Sequence, residues 1–301
     1  MSNSRTIEFR GTFPAITTPF SADLSVDHGF LAEHAQWQIN AGCAGLIPCG
    51  SLGEAATLSF AEKVAVTATC VKAISGPVIP GVTALSTHEA VELARAFEGA
   101  GARGLMVLPP YVYSTDWREM KAHVAAVLNA TKLPCILYNN PPAYKTDFLP
   151  AHIAELAEEH ANLAAVKESS ADVRRITALK VLTGNRLALG VGMDDALVEG
   201  FAAGAQFWVA GLVNAFPAET VKLVSLCQQG KWEEAANLYA WFLPLLRLDT
   251  VPKFVQLIKL VQERVGHGNT RVRGPRLTLQ GDELAAANAV IDKALANLQK
   301  L

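Results

Sequence analysis

Short apolar runs rich in β-branched residues recur along the chain about every thirty residues, at 13–17, 45–48, 77–82, 104–108, 134–138, 163–167, 187–191 and 207–211. They do not alternate strictly between apolar and polar positions, which predicts strands buried on both faces. Amphipathic stretches with helical spacing lie between them, at 31–41, 60–75, 87–99, 114–130, 150–160, 173–182 and 194–203. Ser59 followed by Glu62 reads as a capping box at the start of the second of these. After residue 211 the pattern is wholly helical, with about four helices expected at 217–230, 231–246, 251–265 and 281–301. A loop marked by Gly266, Gly268, Gly274 and Pro275 precedes the last one.

Eight strand–helix units in one chain of this length predict an α/β protein, a (β/α)8 TIM barrel with a C-terminal helical extension. Residues 1–226 are expected to form the barrel and 227–301 the extension. A doubly wound open sheet is the alternative, but no dinucleotide loop appears early in the chain. Gly190-Val191-Gly192 lacks the third glycine of such a loop and reads as a strand-end turn.

Composition and charge narrow the partners. The 301 residues carry a formal charge of −2, half are hydrophobic and 18% are charged. A large core can be buried, and a near-neutral chain without a basic run argues against nucleic acid and against an anionic membrane. Five cysteines at 43, 49, 70, 135 and 227 form no C-x-x-C pair, so they read as reduced, mostly buried thiols of a cytoplasmic protein. The first residues, Met1-Ser2-Asn3-Ser4-Arg5, show no signal peptide, and no apolar stretch reaches the length of a bilayer span. The histidines lack His-x-x-x-His and His-x-His spacing, which speaks against a metal site. No G-x-S-x-G elbow supports a serine hydrolase.

The chemistry gathers at the strand ends, where the active site of such a barrel lies. These ends carry Thr17-Thr18, Gly50-Ser51-Leu52-Gly53-Glu54, Tyr111-Val112-Tyr113, Tyr138-Asn139-Asn140, Lys167-Glu168-Ser169-Ser170, Gly192-Met193-Asp194-Asp195 and Val209-Ala210-Gly211. A lone strand-end lysine is ordinarily a solvated cap. Here Lys167 ends a run next in order to the one ending in Tyr138, and an amine beside a phenol suits Schiff-base chemistry on a carbonyl. A free lysine with a pKa of about 10.4 starts with a handicap of about 4.6 kcal/mol at neutral pH, which burial in an apolar barrel reduces. Tyr138 is placed to move protons as the adduct forms and collapses, and Ser51 to pass them on. The backbone N–H groups of the turn at 50–53 offer a seat for a carboxylate near a helix start. Asp194 and Asp195 are expected to cap the helix that follows them.

Gly50-Ser51-Leu52-Gly53-Glu54, Tyr138-Asn139-Asn140-Pro141 and Val166-Lys167-Glu168 together resemble the dihydrodipicolinate synthase and N-acetylneuraminate lyase superfamily, from about Phe9 to the last helix. The resemblance implies a Schiff base between Lys167 and a 2-keto acid, with Tyr138 as the acid/base residue and no cofactor or metal. It implies a carboxylate bound by the turn at Gly50, Ser51, Leu52 and Gly53, and usually a homotetramer built from tight dimers. Further substrate contacts are expected from Tyr111, Asn140, Ala143, Gly192, Val209 and Gly211. Three positions depart from the synthase pattern. Ala143 replaces an arginine that binds the aldehyde's carboxylate, Val112 stands near the place of a relay tyrosine from the neighbouring subunit, with Tyr111 and Tyr113 beside it, and Leu52 replaces a hydroxyl residue. Tyr138–Tyr144, Lys167–Thr177 and Leu248-Asp249-Thr250-Val251-Pro252-Lys253 look more like 1-pyrroline-4-hydroxy-2-carboxylate deaminases of hydroxyproline catabolism. That resemblance implies release of ammonia and 2,5-dioxopentanoate from a cyclic 2-imino acid. The alternatives are a synthase-like or N-acetylneuraminate lyase-like aldolase, a sugar-acid aldolase or dehydratase, and a silent barrel acting as a sensor.

Overall fold

A computed structural model describes residues 7–110 and 115–298. Seven parallel strands form one sheet: β1 (Gly11–Pro14), β2 (Gly81–Val82), β3 (Leu105–Val107), β4 (Cys135–Asn139), β5 (Leu163–Glu168), β6 (Ala188–Val191) and β7 (Phe207–Ala210). Their order is β1-β7-β6-β5-β4-β3-β2, so β1 and β2 are the two edges. The expected strand at 45–48 is instead an isolated parallel bridge between Leu46 and Val78. Its backbone still bonds both edges. Ile47 N–H donates to the Pro14 carbonyl and the Ile47 carbonyl accepts from Ile16, while Leu46 N–H donates to Pro77 and its carbonyl accepts from Ile79. Pro14, Pro48, Pro77 and Pro80 have no N–H to donate, which keeps this seam from growing into a ladder.

The helices follow their strands. They are α1 (His28–Asn40), α2 (Phe60–Ala73), α3 (Thr87–Gly99), α4 (Trp117–Asn129), α5 (Pro141–Tyr144), α6 (Pro150–Glu159), α7 (Arg174–Thr183), α8 (Leu197–Ala202) and α9 (Pro217–Gln228). The C-terminal helices are α10 (Trp232–Leu246), α11 (Phe254–Arg264) and α12 (Gly281–Leu298). The capping box at α2 forms as expected: Glu62 N–H donates to Ser59 Oγ and Ser59 N–H to Glu62 Oε2. Short α5 was not anticipated; Asn140 caps it and Pro141 opens it. The helix expected at 194–203 is broken into a 3-10 turn (Asp194–Ala196) and α8, because Ala196 leaves helical geometry.

Phe9, Phe13 and Phe207 pack together with ring centroids 5.8 to 6.4 Å apart. A Cβ on Gly190 would fall 2.3 Å from the Phe207 ring. Gly190 is therefore a close-approach glycine within β6, a correction to its reading as a turn. All five cysteines are free and buried, and burial pushes the Cys43, Cys49 and Cys135 thiols up to about 12. Thiols held neutral in this way are poor nucleophiles. Among the described residues no helix is long and apolar enough to cross a membrane.

Candidate active site

Lys167 pairs in register with Tyr138 on β4 and with Gly190 on β6. Both chemical groups are buried, Lys167 at 6% exposure and Tyr138 at 4%. The Lys167 Nζ lies 4.0 Å from the centroid of the Tyr138 ring. Room for the lysine stem comes from Gly192, where a Cβ would fall 2.6 Å from Lys167 Cε and 2.0 Å from Ser169 Oγ. Any side chain there would displace the amine. Val209 is buried on β7, two residues from Phe207 and so on its face of the strand.

The residues after Tyr138 and Lys167 pin the loops that carry them. Asn139 Nδ2 donates to Glu168 Oε2 at 3.1 Å and to the Phe148 carbonyl, and Asn139 Oδ1 accepts from Phe148 N–H. Glu168 Oε1 accepts from Ser170 N–H at 2.6 Å. Burial raises the Glu168 carboxyl above its ordinary value, opposed by these hydrogen bonds. Asn140 has two tasks: its Nδ2 donates to the Tyr138 hydroxyl at 2.7 Å, and its Oδ1 accepts from Ala143 N–H at 3.2 Å. Ala143 itself is exposed on α5. Nearby Arg175 is engaged by Asp147, with Nη1 and Nη2 at 2.5 and 2.9 Å from the two carboxylate oxygens.

The turn at 50–53 is bounded by two left-handed residues, Cys49 (φ 58°) and Glu54 (φ 54°). Such conformations cost of order 1–3 kcal/mol each and persist only where the surroundings over-determine them. Gly53 is required by close approach, since a Cβ would fall 3.0 Å from the Ile16 carbonyl oxygen. Its own carbonyl accepts from Thr18 Oγ1 at 2.7 Å. Gly50 and Leu52 are buried and Ser51 is half-buried. The helix start expected here is only a three-residue 3-10 turn (Ala55–Thr57), too short for a sizeable dipole.

Three residues take parts that the sequence did not assign to them. Tyr144, on α5, hydrogen-bonds through its hydroxyl to Ser51 Oγ and stands edge-on to the Tyr138 ring at 5.8 Å. Glu54 is fully buried and accepts from Lys259 Nζ and from Arg273 N–H, with Arg276 Nη1 at 3.9 Å. Asp194 does not cap its helix; it accepts from Trp208 Nε1 and from the N–H groups of Gly211 and Leu212. That corrects the expected capping role, and Asp195 instead pairs with Arg247 at 3.7 Å. Tyr111, Val112 and Tyr113 lie outside the described residues. Among the described residues no three His, Cys, Asp or Glu side chains gather as a metal site would require.

The chain matches the family model described as the dihydrodipicolinate synthetase family over residues 8–294. It is 32% identical to a 4-hydroxy-tetrahydrodipicolinate synthase of Agrobacterium fabrum, over 95% of this chain and 97% of the relative. It is 33% identical to the enzyme of the same name from Rhizobium meliloti, with the same coverage. Among solved structures, the 4-hydroxy-tetrahydrodipicolinate synthase of Methylacidiphilum fumariolicum superposes with a TM-score of 0.93 at 26% identity, covering 97% of this chain and 98% of that one. The dihydrodipicolinate synthase of Acinetobacter baumannii, complexed with pyruvate, gives a TM-score of 0.90 at 26% identity, covering 95% and 99%. With Lys167 and Tyr138 side by side and the family's model running nearly end to end, the chain belongs to the dihydrodipicolinate synthetase family.

Proposed function

We propose that this chain is a class I lyase that forms a Schiff base between Lys167 and a 2-keto acid, on a (β/α)8 barrel closed by the seam at 45–48. The observation that carries this reading is the buried Lys167 amine 4.0 Å from the Tyr138 ring. The amine attacks the carbonyl carbon, a carbinolamine forms, and loss of water leaves an iminium. The iminium acidifies the adjacent carbon, so a proton can be removed there to give an enamine. Tyr138 gives and takes protons in these steps, with Ser51 and Tyr144 holding hydroxyls within reach. The turn at 50–53 takes the substrate carboxylate. No metal or organic cofactor is needed, since the iminium is itself the electron sink. A cytoplasmic homotetramer belongs to the same reading.

Tyr144→Phe tests the hydroxyl chain. It keeps the ring against Tyr138 and deletes the bond to Ser51. Turnover should fall about 10- to 100-fold while pyruvate is still captured on Lys167. Unchanged turnover would remove Tyr144 from the mechanism.

The names of the relatives support condensation of pyruvate with an aldehyde, the synthase-like course. Exposed Ala143 favours a second reading. A bidentate arginine contact is worth about 1.5–3 kcal/mol, so an acceptor bearing a second carboxylate loses about 10- to 100-fold in kcat/KM without one. A cyclic 2-imino acid with one carboxylate escapes that loss. For 1-pyrroline-4-hydroxy-2-carboxylate, attack by Lys167 opens the ring and frees its nitrogen as an amine. Proton removal then expels the 4-hydroxyl as water, the double bond migrates so that the freed amine becomes an imine, and hydrolysis of that imine and of the Lys167 adduct releases ammonia and 2,5-dioxopentanoate. Asn140, already on the Tyr138 hydroxyl, is the neighbour suited to that hydroxyl. The two readings separate in paired assays on one preparation. Condensation of pyruvate with aspartate semialdehyde faster than ammonia release assigns the synthase course, and the reverse order assigns the deaminase.

A further inference from the structure

Two carboxyl groups meet over Gly211 at the end of β7. Asp194 reaches it from the turn after β6. Its Oδ1 accepts from Trp208 Nε1 at 3.0 Å, and its Oδ2 accepts from Gly211 N–H at 3.1 Å and Leu212 N–H at 3.0 Å. Asp249 comes from the turn (Arg247–Asp249) that joins α10 to α11. Its Oδ1 lies 2.3 Å from where a Gly211 Cβ would be, so only glycine admits it. That oxygen is buried and has no hydrogen-bond partner. Asp194 stands two residues beyond Gly192, where a Cβ would fall 2.6 Å from Lys167 Cε, so the pair borders the lysine.

Two buried carboxyls in one site do not both ionise, because like charges in a poorly solvated place repel strongly. The surroundings decide which one keeps its proton. Three N–H donors favour the ionised form of Asp194. The orphaned Oδ1 of Asp249 has no donor to stabilise a negative charge. We propose that Asp194 and Asp249 hold one proton between them, Asp194 charged and Asp249 neutral, and that this single negative charge is the counter-charge of the cationic imine on Lys167. Both are positioning residues, and the idea rests on the Schiff-base reading above. Forming that imine makes the N–C bond, breaks the C–O bond, releases water and takes up one proton from solvent by way of Tyr138, so a fixed anion nearby favours it.

The shared proton has a pH signature. Burial raises the Asp194 carboxyl to about 6, against the pull of its three N–H donors and of Lys167. Burial raises Asp249 well above the usual carboxylate range, and the Asp194 charge and then Asp195 push the same way, with Lys167 opposing. The other charges here, Asp195 and Arg247, pair with each other at 3.7 Å. Above about pH 6 the pair carries one negative charge; below it both groups are neutral and the counter-charge is gone.

The test is pyruvate capture by borohydride, read as intact mass over a pH series. Asp194→Asn leaves only the higher-titrating Asp249, so the acid limb of capture should move up by about one pH unit or more. Asp249→Asn, shaped like the neutral acid, leaves the Asp194 charge in place and should keep capture at neutral pH within about threefold of the wild type. If Asp249→Asn loses capture at neutral pH, or if it moves the acid limb as far as Asp194→Asn does, the assignment of charge is overturned. Infrared difference spectra check the shared proton independently of catalysis and of how well Asp194→Asn folds. A neutral-acid carbonyl stretch should be present at neutral pH in the wild type and missing from Asp249→Asn. Its absence from the wild type would sink the shared proton. A wild type with that stretch but no adduct at any pH would instead defeat the Schiff-base reading, and the counter-charge role with it.

Discussion

Replacement of Lys167 by alanine abolishes covalent capture of pyruvate and lowers turnover by about three orders of magnitude or more, the loss expected when a covalent nucleophile is deleted. The amine has no substitute close by. On the adjacent strands its register partners are Tyr138, a phenol, and Gly190, which has no side chain. Among the described residues the other buried lysines are committed elsewhere: Lys63 donates to the Thr83 carbonyl, and Lys259 to Glu54 and the Arg271 carbonyl. The fold should survive, because the lost side chain rests on Gly192 and Ser169 and not in the aromatic core. The decisive measurement is peptide mapping of the borohydride-reduced pyruvate adduct, with thermal unfolding alongside. An adduct on another residue, or an undiminished adduct in Lys167→Ala, refutes the assignment.

Breaking the Glu54–Lys259 pair should give the largest loss of stability available at a single position near the site. Both side chains are buried, at 0% and 2% exposure. Removing Lys259 leaves the buried Glu54 carboxylate with the Arg273 N–H and the more distant Arg276 alone, at a cost of about 3–5 kcal/mol. In a domain of this size that lowers Tm by roughly 6–20 °C. Lys259→Met tests it. The double variant Glu54→Gln with Lys259→Met should recover most of the loss, because neither charge is then stranded. The pair also anchors the C-terminal region to the end of the turn at 50–53. Lys259 donates to the Arg271 carbonyl, Arg273 N–H donates to Glu54, and the Arg273 guanidinium holds Glu62 at 2.7 Å and the Leu24 carbonyl. That guanidinium holds the Glu62 carboxyl down at about 2. Loosening this clamp lets left-handed Glu54 relax, so KM for the 2-keto acid should rise in the single variant. A stability change below about 1 kcal/mol, the range of an exposed pair, would show that the pair is not shielded as described.

The helices and most strands were legible because hydrophobic spacing and caps are local properties. Phe60–Ala73 begins where Ser59 and Glu62 place it, and β4 and β5 fall on the apolar runs that end in Tyr138 and Lys167. The neighbourhood of Lys167 and Tyr138 was legible for the same reason: in a parallel sheet, strands next in order lie side by side, and their ends come to one place. The segment at 45–48 looked like its neighbours in hydrophobicity, yet its pairing was limited by prolines on both flanking segments. Gly190 and Gly192 looked like a turn, because the Phe207 ring and the Lys167 stem that require them come from other strands. Tyr144 reaches Ser51 across 93 residues of chain, and Lys259 reaches Glu54 across 205. No periodicity records such meetings, since each depends on how two distant segments pack. Asp194 looked like a cap for its own helix because a sequence displays only near neighbours. Its partners, the N–H groups of Gly211 and Leu212, lie on the next loop. The sequence by itself therefore determined the order of elements, the family and the Lys167–Tyr138 pair, all of which depend on local pattern and chain order. Only the tertiary structure decided what clamps the turn at 50–53 and which carboxyls stand near the lysine, because burial and long-range contact set those charges.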